Sequence, residues 1–191
     1  MGLTAEQLKA REGRLTASAV ACLMTGNKRK ILDLWRSLIG DPTYQAPDLS
    51  GVWPVRLGEV TEELQLDWYE RKTGHQVGRR GEVVIHPDHQ WAAATLDGYD
   101  IQLNAPIECK HVGGREPLDR ILVRYKPQCF WQMIVTKTKT TLMSVIEAAN
   151  EPIIVPVHYE TEYAAELWRR AEIFMGHVAN MTPPIEVIDK A

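Results

Sequence analysis

Cysteine is scarce in this sequence, and its pattern argues against two kinds of site. The 191 residues contain three cysteines (Cys22, Cys109 and Cys129), and no two of them have the C-x-x-C spacing of a zinc or redox site. An odd number of cysteines within apolar segments argues against a disulfide framework and for a reducing compartment. The sequence also lacks an apolar run long enough to cross a bilayer and a signal-peptide pattern at its start. We therefore expect a cytoplasmic protein with no membrane partner.

An excess of positive charge is missing as well. Lysine and arginine together number 22, against 25 aspartates and glutamates, so the formal charge is −3. This balance alone does not suggest a nucleic-acid partner, and any basic surface must be local. We expect about half of the basic clusters to be only solvated turns. The candidates for such a local basic surface are Lys28, Arg29, Lys30, Arg71, Lys72, Arg79, Arg80, Lys137 and Lys139.

What is present is an ordinary globular composition, with 45% apolar and 25% charged residues. A chain of this length is expected to form one domain, spanning residues 1–191, with a sizeable core. The stretch 41–54 is predicted to be a loop, and Trp53 and Val55 at its end could join the core or touch a ligand. Periodicity predicts helices over 4–9, 15–24, 31–39, 57–72, 120–138 and 161–181, and strands over 83–86, 91–95, 99–103, 106–110, 140–147 and 152–158.

The helix predicted over 57–72 has its apolar residues at helical spacing. Leu57, Val60, Leu64 and Trp68 form a stripe that we expect to face the core. Glu62 and Glu63 flank this stripe, so one of the two could point inward, where an acid is costly unless it is paired or bound to a metal.

A proline lies inside the helix predicted over 120–138. Because proline is tolerated best in a first helical turn, Pro127 predicts that the main helix begins near Tyr125 or Lys126. Gln128, Trp131 and Gln132 would then lie within about one turn of each other.

The central segment 95–110 reads T-L-D-G-Y-D-I-Q-L-N-A-P-I-E-C-K. Successive side chains of a strand alternate between faces, so Glu108 and Lys110 should project together while Cys109 points into the core. If the two strands predicted here pair as a hairpin, Asp97 returns beside Glu108. Two carboxylates then suit Mg²⁺, and the amine could hold or deprotonate a water. Each residue also has a plain alternative, since Asp97 is a common turn residue and Glu108 with Lys110 could be an exposed pair.

A second candidate feature is the start of the helix over 15–24. Thr16 is a plausible N-cap, which puts Ser18 in the first turn, where free N–H groups can hold a phosphate. Periodicity alone favours the plainer role, in which Ser18 caps the helix or packs.

Five short motifs in this order resemble those of the YqaJ-like viral recombinase family, the PD-(D/E)xK nucleases that include phage lambda exonuclease. They cover roughly residues 11–140. A D…E-x-K pattern alone recurs by chance, but five motifs in order with similar gaps are specific. The motifs are R-E-G-R-L-T-A-S at 11–18, G-E-V-T-E at 58–62, T-L-D-G at 95–98, E-C-K at 108–110 and Y-K-P-Q-C-F-W-Q-M-I-V-T at 125–136.

The resemblance implies a fold and an activity. The fold would be α/β and restriction-endonuclease-like, with a central mixed sheet flanked by helices. The activity would be Mg²⁺-dependent 5′–3′ exonuclease digestion of one strand of linear double-stranded DNA, leaving 3′ single-stranded tails for recombination by strand annealing. Members form a homotrimeric ring and work with a single-strand annealing protein, in bacterial or phage-infected cells.

The resemblance also implies a set of metal ligands. Asp97, Glu108 and the backbone carbonyl of Cys109 would bind Mg²⁺, for which Mn²⁺ can substitute. The G-x-x-x-E motif favours Glu62 over Glu63, and Glu62 would help to hold a second metal or its water.

Further residues would handle the water and the DNA. Lys110 would orient or activate the attacking water, and Gln128 would brace the water or the lysine. The 5′-phosphate of the digested strand would bind to Arg11, Ser18 and Thr95.

Three positions depart from the family pattern. Thr95-Leu96 replaces the usual Ser-Pro and keeps the hydroxyl, Phe130 replaces a second glutamine, and Pro127 is unusual. An endonuclease of the same fold, of restriction or repair type, and a catalytically inactive DNA-binding or assembly subunit are the alternatives. The pocket for a 5′-phosphate would distinguish an exonuclease from the first, and the intact acids and lysine argue against the second.

Overall fold

A five-stranded mixed β-sheet lies at the centre of the fold. The computed structural model describes residues 4–114 and 116–184, so the prediction of one domain over 1–191 extends to positions outside the described residues. The helices are α1 (Ala5–Arg11), α2 (Ala17–Thr25), α3 (Lys28–Leu38), α4 (Trp53–Thr73), α5 (Leu118–Thr136) and α6 (Thr161–Ala179). The strands are β1 (Val77–Gly78), β2 (Val83–Ile85), β3 (Ala93–Thr95), β4 (Gly98–Asp100), β5 (Ala105–Val112), β6 (Thr140–Glu147) and β7 (Ile153–His158).

The strand order in the sheet is β1-β4-β5-β6-β7. β5 and β6 run parallel, and α5 provides the crossover connection that a parallel pair requires, whereas the other neighbouring pairs are antiparallel. β2 and β3 form a separate two-stranded sheet, which a bridge between Leu15 and Ala92 connects to the segment before α2. The expected mixed sheet flanked by helices is therefore confirmed. Among the described residues, no helix has the length and apolar character needed to cross a membrane.

Helices cover both faces of the sheet. α4 packs Leu66 and Tyr69 against Ile107 and Cys109 on β5, while α5 packs on the opposite face, where Cys129 contacts the β6 side chains. Alternation along β5 therefore sends Glu108 and Lys110 to the α5 side and Cys109 to the α4 side, as the sequence predicts.

The predicted hairpin is present with a shorter first strand. β4 pairs with the start of β5, so that Gly98 lies opposite Ile107 and Asp100 opposite Ala105. Residues 101–103, predicted to be strand, belong instead to the turn over 101–104. The register brings the bend before β4, which carries Asp97, beside the middle of β5.

Two predictions about α4 were wrong. The helix begins at Trp53 and not at residue 57, because Pro54 fits a first helical turn, where no N–H partner is needed. The expected apolar stripe does not face the core, since Val60 and Leu64 are 67% and 56% exposed. Thr61 and Gln65 are buried instead, because their polar groups find partners inside the fold.

Those partners account for the reversed face. The Thr61 hydroxyl lies 3.3 Å from His111 Nδ1 on β5, and the Ser144 hydroxyl on β6 donates to Gln65 Oε1 at 2.8 Å. A buried polar group that is hydrogen-bonded carries little penalty, so periodicity of apolar residues alone could not identify the packed face.

The predicted interruption of α5 was also wrong. The helix runs without a break from Leu118 to Thr136, with Pro127 buried inside it. A proline in a helix leaves the carbonyl four residues earlier without its N–H partner. That carbonyl belongs to Val123, whose residue is 72% exposed, so water can satisfy it.

We predict that Gly98→Ala will destabilise the protein. A Cβ at Gly98 would lie 2.7 Å from Leu66 Cδ2 and 2.8 Å from Val77 Cγ1, both in the buried contact between α4 and the sheet. Overpacking of this kind costs about 1–3 kcal/mol, equivalent to about 2–4 °C in melting temperature for each kcal/mol. Thermal unfolding measures the shift in melting temperature.

Gly58→Ala provides the matched control. Gly58 lies within α4 and a Cβ there meets nothing within 4 Å. Alanine is favoured over glycine inside a helix by about 0.5–1 kcal/mol, so this variant should be at least as stable as the wild type. Equal stability of Gly98→Ala and Gly58→Ala would contradict the close contact at Gly98.

A second prediction concerns the buried carboxylate of Asp100, which ties β4 to α4. It accepts hydrogen bonds from the Tyr69 hydroxyl at 2.6 Å, from His75 Nδ1 at 2.7 Å and from the Leu103 N–H at 2.7 Å. Burial alone would raise the pKa of Asp100, but these donors outweigh it and hold the pKa below its ordinary value.

Tyr69→Phe removes one donor and should cost about 1–3 kcal/mol. Because the pKa of Asp100 is lowered in the folded state, the deficit should be constant above about pH 5 and narrow as the pH falls below about 4. Tyr99→Phe is the control, because the Tyr99 hydroxyl donates to the neutral side chain of Asn104 at 2.6 Å. Its loss of stability should not narrow in this way as the pH falls. Urea unfolding at a series of pH values measures both, and a Tyr69→Phe deficit independent of pH would contradict this account.

Candidate active site

A cleft of about 570 Å³ opens where α1, α2, α4 and α5 meet the bend between β3 and β4. Its wall includes both acids and cations, which is unusual for a purely structural groove. Glu62, Asp97, Lys110, Gln128, Arg11, Ser18 and Thr95, all singled out from the sequence, line it. Glu108 lies beneath its floor and is fully buried.

The bend after β3 brings Asp97 against the middle of β5. The Cys109 N–H donates to Asp97 Oδ2 at 2.7 Å, which holds the carboxylate beside the strand that carries Glu108. This is the approach that the hairpin predicts. The Cys109 thiol lies in the α4 core, where burial raises its pKa well above the usual value, so only the backbone of Cys109 is directed to the site.

Glu108 and Lys110 project together from β5. The ammonium of Lys110 contacts Glu108 Oε1, and the amide of Gln132 on α5 donates to Glu108 Oε2 at 2.5 Å. Lys110 Nζ also lies 5.0 Å from the centre of the Tyr125 ring, within the range of a cation–π contact. The lysine is thus held between a carboxylate and an aromatic face.

The acids and the amine perturb one another. Burial raises the pKa of Asp97 well above its ordinary value, and the negative charge of Glu108 raises it further. Burial would lower the pKa of Lys110, but Glu108 and Asp97 outweigh this and raise it. In the metal-free site the lysine is therefore an ammonium at neutral pH, which can donate hydrogen bonds and stabilise negative charge.

The structure separates the two neighbouring glutamates of α4. Burial raises the pKa of Glu62, with the charges of Lys110 and Glu108 acting on it from the site. Glu63 instead receives a hydrogen bond from Arg80 at 2.6 Å. Glu62 is therefore the one that faces the acidic centre.

The donor set fits a divalent cation. Asp97 lines the cleft and Glu108 is fully buried, so two hard-oxygen donors lie near the amine of Lys110, and Glu108 Oε1 has no hydrogen-bond partner of good geometry. Within residues 4–114 and 116–184, no three His, Cys, Asp or Glu side chains stand close enough to form a metal site without other ligands. Two carboxylates completed by a backbone carbonyl and water are the arrangement that Mg²⁺ prefers, because it gives up its waters reluctantly.

A second region of the cleft suits an anion. Arg11 makes no salt bridge within the described residues, and burial lowers the pKa of its guanidinium. The Thr95 hydroxyl is buried without a hydrogen-bond partner. Ser18 lies in the first turn of α2, with its hydroxyl 3.4 Å from that of Thr16, which makes no capping hydrogen bond. A cation, hydroxyls and a helix N-terminus together can bind a phosphate.

Comparison with known proteins identifies the family. The model of the YqaJ-like viral recombinase domain matches residues 6–139, which include every motif described above. The chain belongs to this family. No curated protein sequence matched it.

Solved structures show that the fold is shared. Two structures of the alkaline exonuclease LHK-Exo from Laribacter hongkongensis, one of them in complex with dAMP, resemble this chain. Each is 19% identical, with a TM-score of 0.73 over 93% of this chain and 94% of that one. A phage-related exonuclease from Haemophilus somnus 129PT is 11% identical, with a TM-score of 0.68 over 88% and 94%. The predicted PD-(D/E)xK fold is thereby confirmed.

The motif on α5 that resembles the YqaJ-like family predicts a role for Gln128, but in the structure Gln132 is the glutamine that contacts Glu108. Gln128 lines the cleft, but within the described residues it makes no hydrogen bond with Glu108 or Lys110. Gln132, one turn further along, is fully buried and bonds Glu108. Spacing of four residues puts the two glutamines on one face of α5, and this is the signal that would have identified Gln132.

Several basic clusters turn out to be tied to acids. Arg80 bonds Glu63, Asp67 and Glu70 of α4, and Arg79 bonds Glu82. Lys137 pairs with Asp88 at 2.9 Å. Such residues brace the fold and leave little charge free for DNA, so they match the expected solvated or structural role.

The two apolar residues left open by the sequence have different surroundings. Val55 lines the cleft, whereas Trp53 is 74% exposed at the first turn of α4. Trp53 therefore does not belong to the core.

Proposed function

We propose that this protein is a Mg²⁺-dependent 5′–3′ exodeoxyribonuclease that digests one strand of linear double-stranded DNA. The observation that carries the proposal is the meeting of Asp97, Glu108 and Lys110 in the same cleft as the Arg11 pocket. Membership of the YqaJ-like viral recombinase family supports a nuclease that acts in recombination. The related folds of two exonucleases are consistent with it.

The proposed metal ligands are Asp97, Glu108 and the carbonyl of Cys109. Glu62, which interacts electrostatically with Lys110 and Glu108, would assist a second ion. When bound, the cations would neutralise the charge that develops on the attacking and leaving oxygens. The mutual repulsion that raises the pKa of Asp97 would be relieved in the same event. Mn²⁺ is expected to substitute for Mg²⁺, because it accepts the same oxygen ligands.

Lys110 would act on the water and the phosphate. Its ammonium can donate a hydrogen bond to the attacking water, orienting it, and another to a phosphate oxygen as negative charge develops there. The water oxygen forms a bond to phosphorus as its proton passes to solvent, and the bond between phosphorus and the 3′ oxygen breaks as that oxygen takes a proton from solvent. The products are a mononucleotide with a 3′ hydroxyl and a shortened strand with a 5′-phosphate. In this proposal Gln128 helps to brace the water from the cleft wall.

The anion region supports the polarity of digestion. Arg11, Ser18 and Thr95 would hold the 5′-phosphate that each cleavage leaves on the shortened strand, so that the next linkage reaches Asp97 and Lys110. An endonuclease of the same fold has no need for this pocket. A homotrimeric ring around the DNA and a single-strand annealing protein as partner are proposed from the family resemblance, and sedimentation velocity at micromolar concentration distinguishes a trimer from a monomer.

The catalytic prediction concerns Lys110→Ala. With Mg²⁺, the wild type should digest linear duplex and leave closed circular duplex intact, and EDTA should stop digestion. Removing the ammonium should lower the rate by about 10²–10³-fold, the effect typical of losing one charge-stabilising donor, with DNA binding by fluorescence anisotropy retained.

Lys126→Ala is the matched lysine control. Lys126 lies on α5, where its ammonium donates to Glu160 at 2.8 Å, and it does not line the cleft. The Lys126→Ala variant should therefore digest DNA like the wild type. Wild-type activity of Lys110→Ala would remove the lysine from the mechanism, and cutting of closed circles would favour the endonuclease alternative.

The end-recognition prediction concerns Arg11→Ala. The wild type should digest a 5′-phosphorylated duplex faster than a 5′-hydroxyl duplex, because hydrogen bonds to a charged group contribute about 1.5–3 kcal/mol, or about 10–100-fold. Measured as release of the first nucleotide, Arg11→Ala should lose most of this preference while keeping its first-cleavage rate on 5′-hydroxyl ends.

Arg14→Ala separates end recognition from general loss of charge. Arg14 lies in the same motif, but its guanidinium donates to the carbonyls of Ala10 at 2.7 Å and Gln90 at 2.9 Å and does not line the cleft. Its variant should keep the preference. Equal wild-type rates on the two ends would refute the pocket.

A further inference from the structure

The most deeply buried charged group of the site is held by a residue that no motif identifies. Glu108 is fully buried, and its Oε2 accepts a hydrogen bond from Gln132 Nε2 at 2.5 Å. Its other oxygen, Oε1, faces Lys110 and has no hydrogen bond of good geometry. The two carboxylate oxygens therefore have different environments, one fastened to α5 and the other directed to the site.

The geometry points to Gln132 as a positioning residue that orients Glu108 for a divalent cation. The inference rests on the proposed function only in taking Asp97 and Glu108 to be the cation site. Gln132 touches neither substrate nor cation in this account and acts through Glu108.

The chemistry of the amide determines its orientation. An ionised carboxylate only accepts hydrogen bonds, so the NH₂ of Gln132 must face Glu108 and the amide oxygen must point away. That oxygen, Oε1, is buried without a partner among the described residues. A buried unpaired acceptor costs stability, so a glutamine is a poor choice here for packing alone. An amide that donates to Glu108 Oε2 and so fixes the orientation of this carboxylate explains its presence.

Gln132 lies on a helix that is also hydrogen-bonded to the strand before Asp97. Trp131, its neighbour on α5, donates from its indole N–H to the Ala93 carbonyl on β3 at 2.9 Å. β3 ends at Thr95, directly before the bend that carries Asp97. The contact therefore joins α5 to the segment that leads to Asp97, while Gln132 joins the same helix to Glu108.

The usual second glutamine of the family motif cannot do this here. Phe130 occupies that position and packs 4.6 Å, centre to centre, from the Tyr163 ring. Gln132 lies two residues further on, which is about 200° around a helix, so it faces the sheet. In this chain the only glutamine of the α5 motif that bonds an acid of the site, within the described residues, is Gln132.

The test measures cation binding without catalysis. Mn²⁺ binding to the metal-free protein is followed by electron paramagnetic resonance and calorimetry. Gln132→Met, of similar length but with no donor, should weaken Mn²⁺ binding by about 10–100-fold, as loss of a residue that orients a metal ligand usually does. Gln132→Asn withdraws the amide by one methylene and should show a loss too, and it serves if Met at this position prevents folding.

Gln65→Met is the matched control. Gln65 is also a buried helical glutamine, and it accepts a hydrogen bond from Ser144 at 2.8 Å on the other face of the sheet. It should lose unfolding stability like Gln132→Met but keep Mn²⁺ affinity. Glu108→Gln should abolish binding, which shows that the signal comes from this site.

Each outcome decides the inference. Wild-type Mn²⁺ affinity in Gln132→Met or Gln132→Asn overturns it, as does an equal loss in Gln65→Met or wild-type binding that is independent of Glu108. DNA digestion measured in parallel separates the two proposals. If Mn²⁺ binding follows the expected pattern but the wild type digests no DNA, the exonuclease proposal fails and the positioning role stands. If the wild type digests DNA and Gln132→Met binds Mn²⁺ normally, the positioning role alone fails.

Discussion

Two acids held side by side away from water repel each other, and the architecture around β5 counteracts that repulsion. Asp97 receives a backbone N–H, and Glu108 receives the Gln132 amide and the Lys110 ammonium. An unpaired charge at such a depth would cost several kcal/mol. Three separate chain segments must therefore meet here, which ties the bend after β3, the strand β5 and the helix α5 into one arrangement that leaves room for positive charge.

The same constraint explains the unusual packing of α4. Besides Leu66 and Tyr69, this helix places Thr61 and Gln65 against the sheet, where His111 on β5 and Ser144 on β6 are their polar partners. With that face inward, Glu62 is directed to the acidic centre and Glu63 to Arg80. The orientation that looks wrong by hydrophobicity is the one that supplies a third acid to the cleft.

The cleft has two electrostatic regions with different tasks. The floor is acidic and suits a cation, while the wall formed by Arg11 and the start of α2 suits an anion. A net negative protein can hold a phosphate in this way, because local charge and not net charge decides the attraction within a cleft. The pairing of Arg80 and Lys137 with acids shows that counting basic residues overestimates such a surface.

Local rules were enough for the parts of the protein in which neighbours along the chain decide the outcome. The alternation of a strand put Glu108 with Lys110 and opposite Cys109, the hairpin brought back Asp97, and Thr4 capped α1 as expected. The contacts that failed to follow from pattern join distant residues. Pro127 is accepted because the carbonyl that it frees lies at the surface, Gln65 is buried because Ser144 lies 79 positions away, and Gln132 bonds an acid 24 positions before it. Periodicity records which residues share a face, but the partner that makes a buried polar group tolerable exists only once the sheet and its helices have assembled.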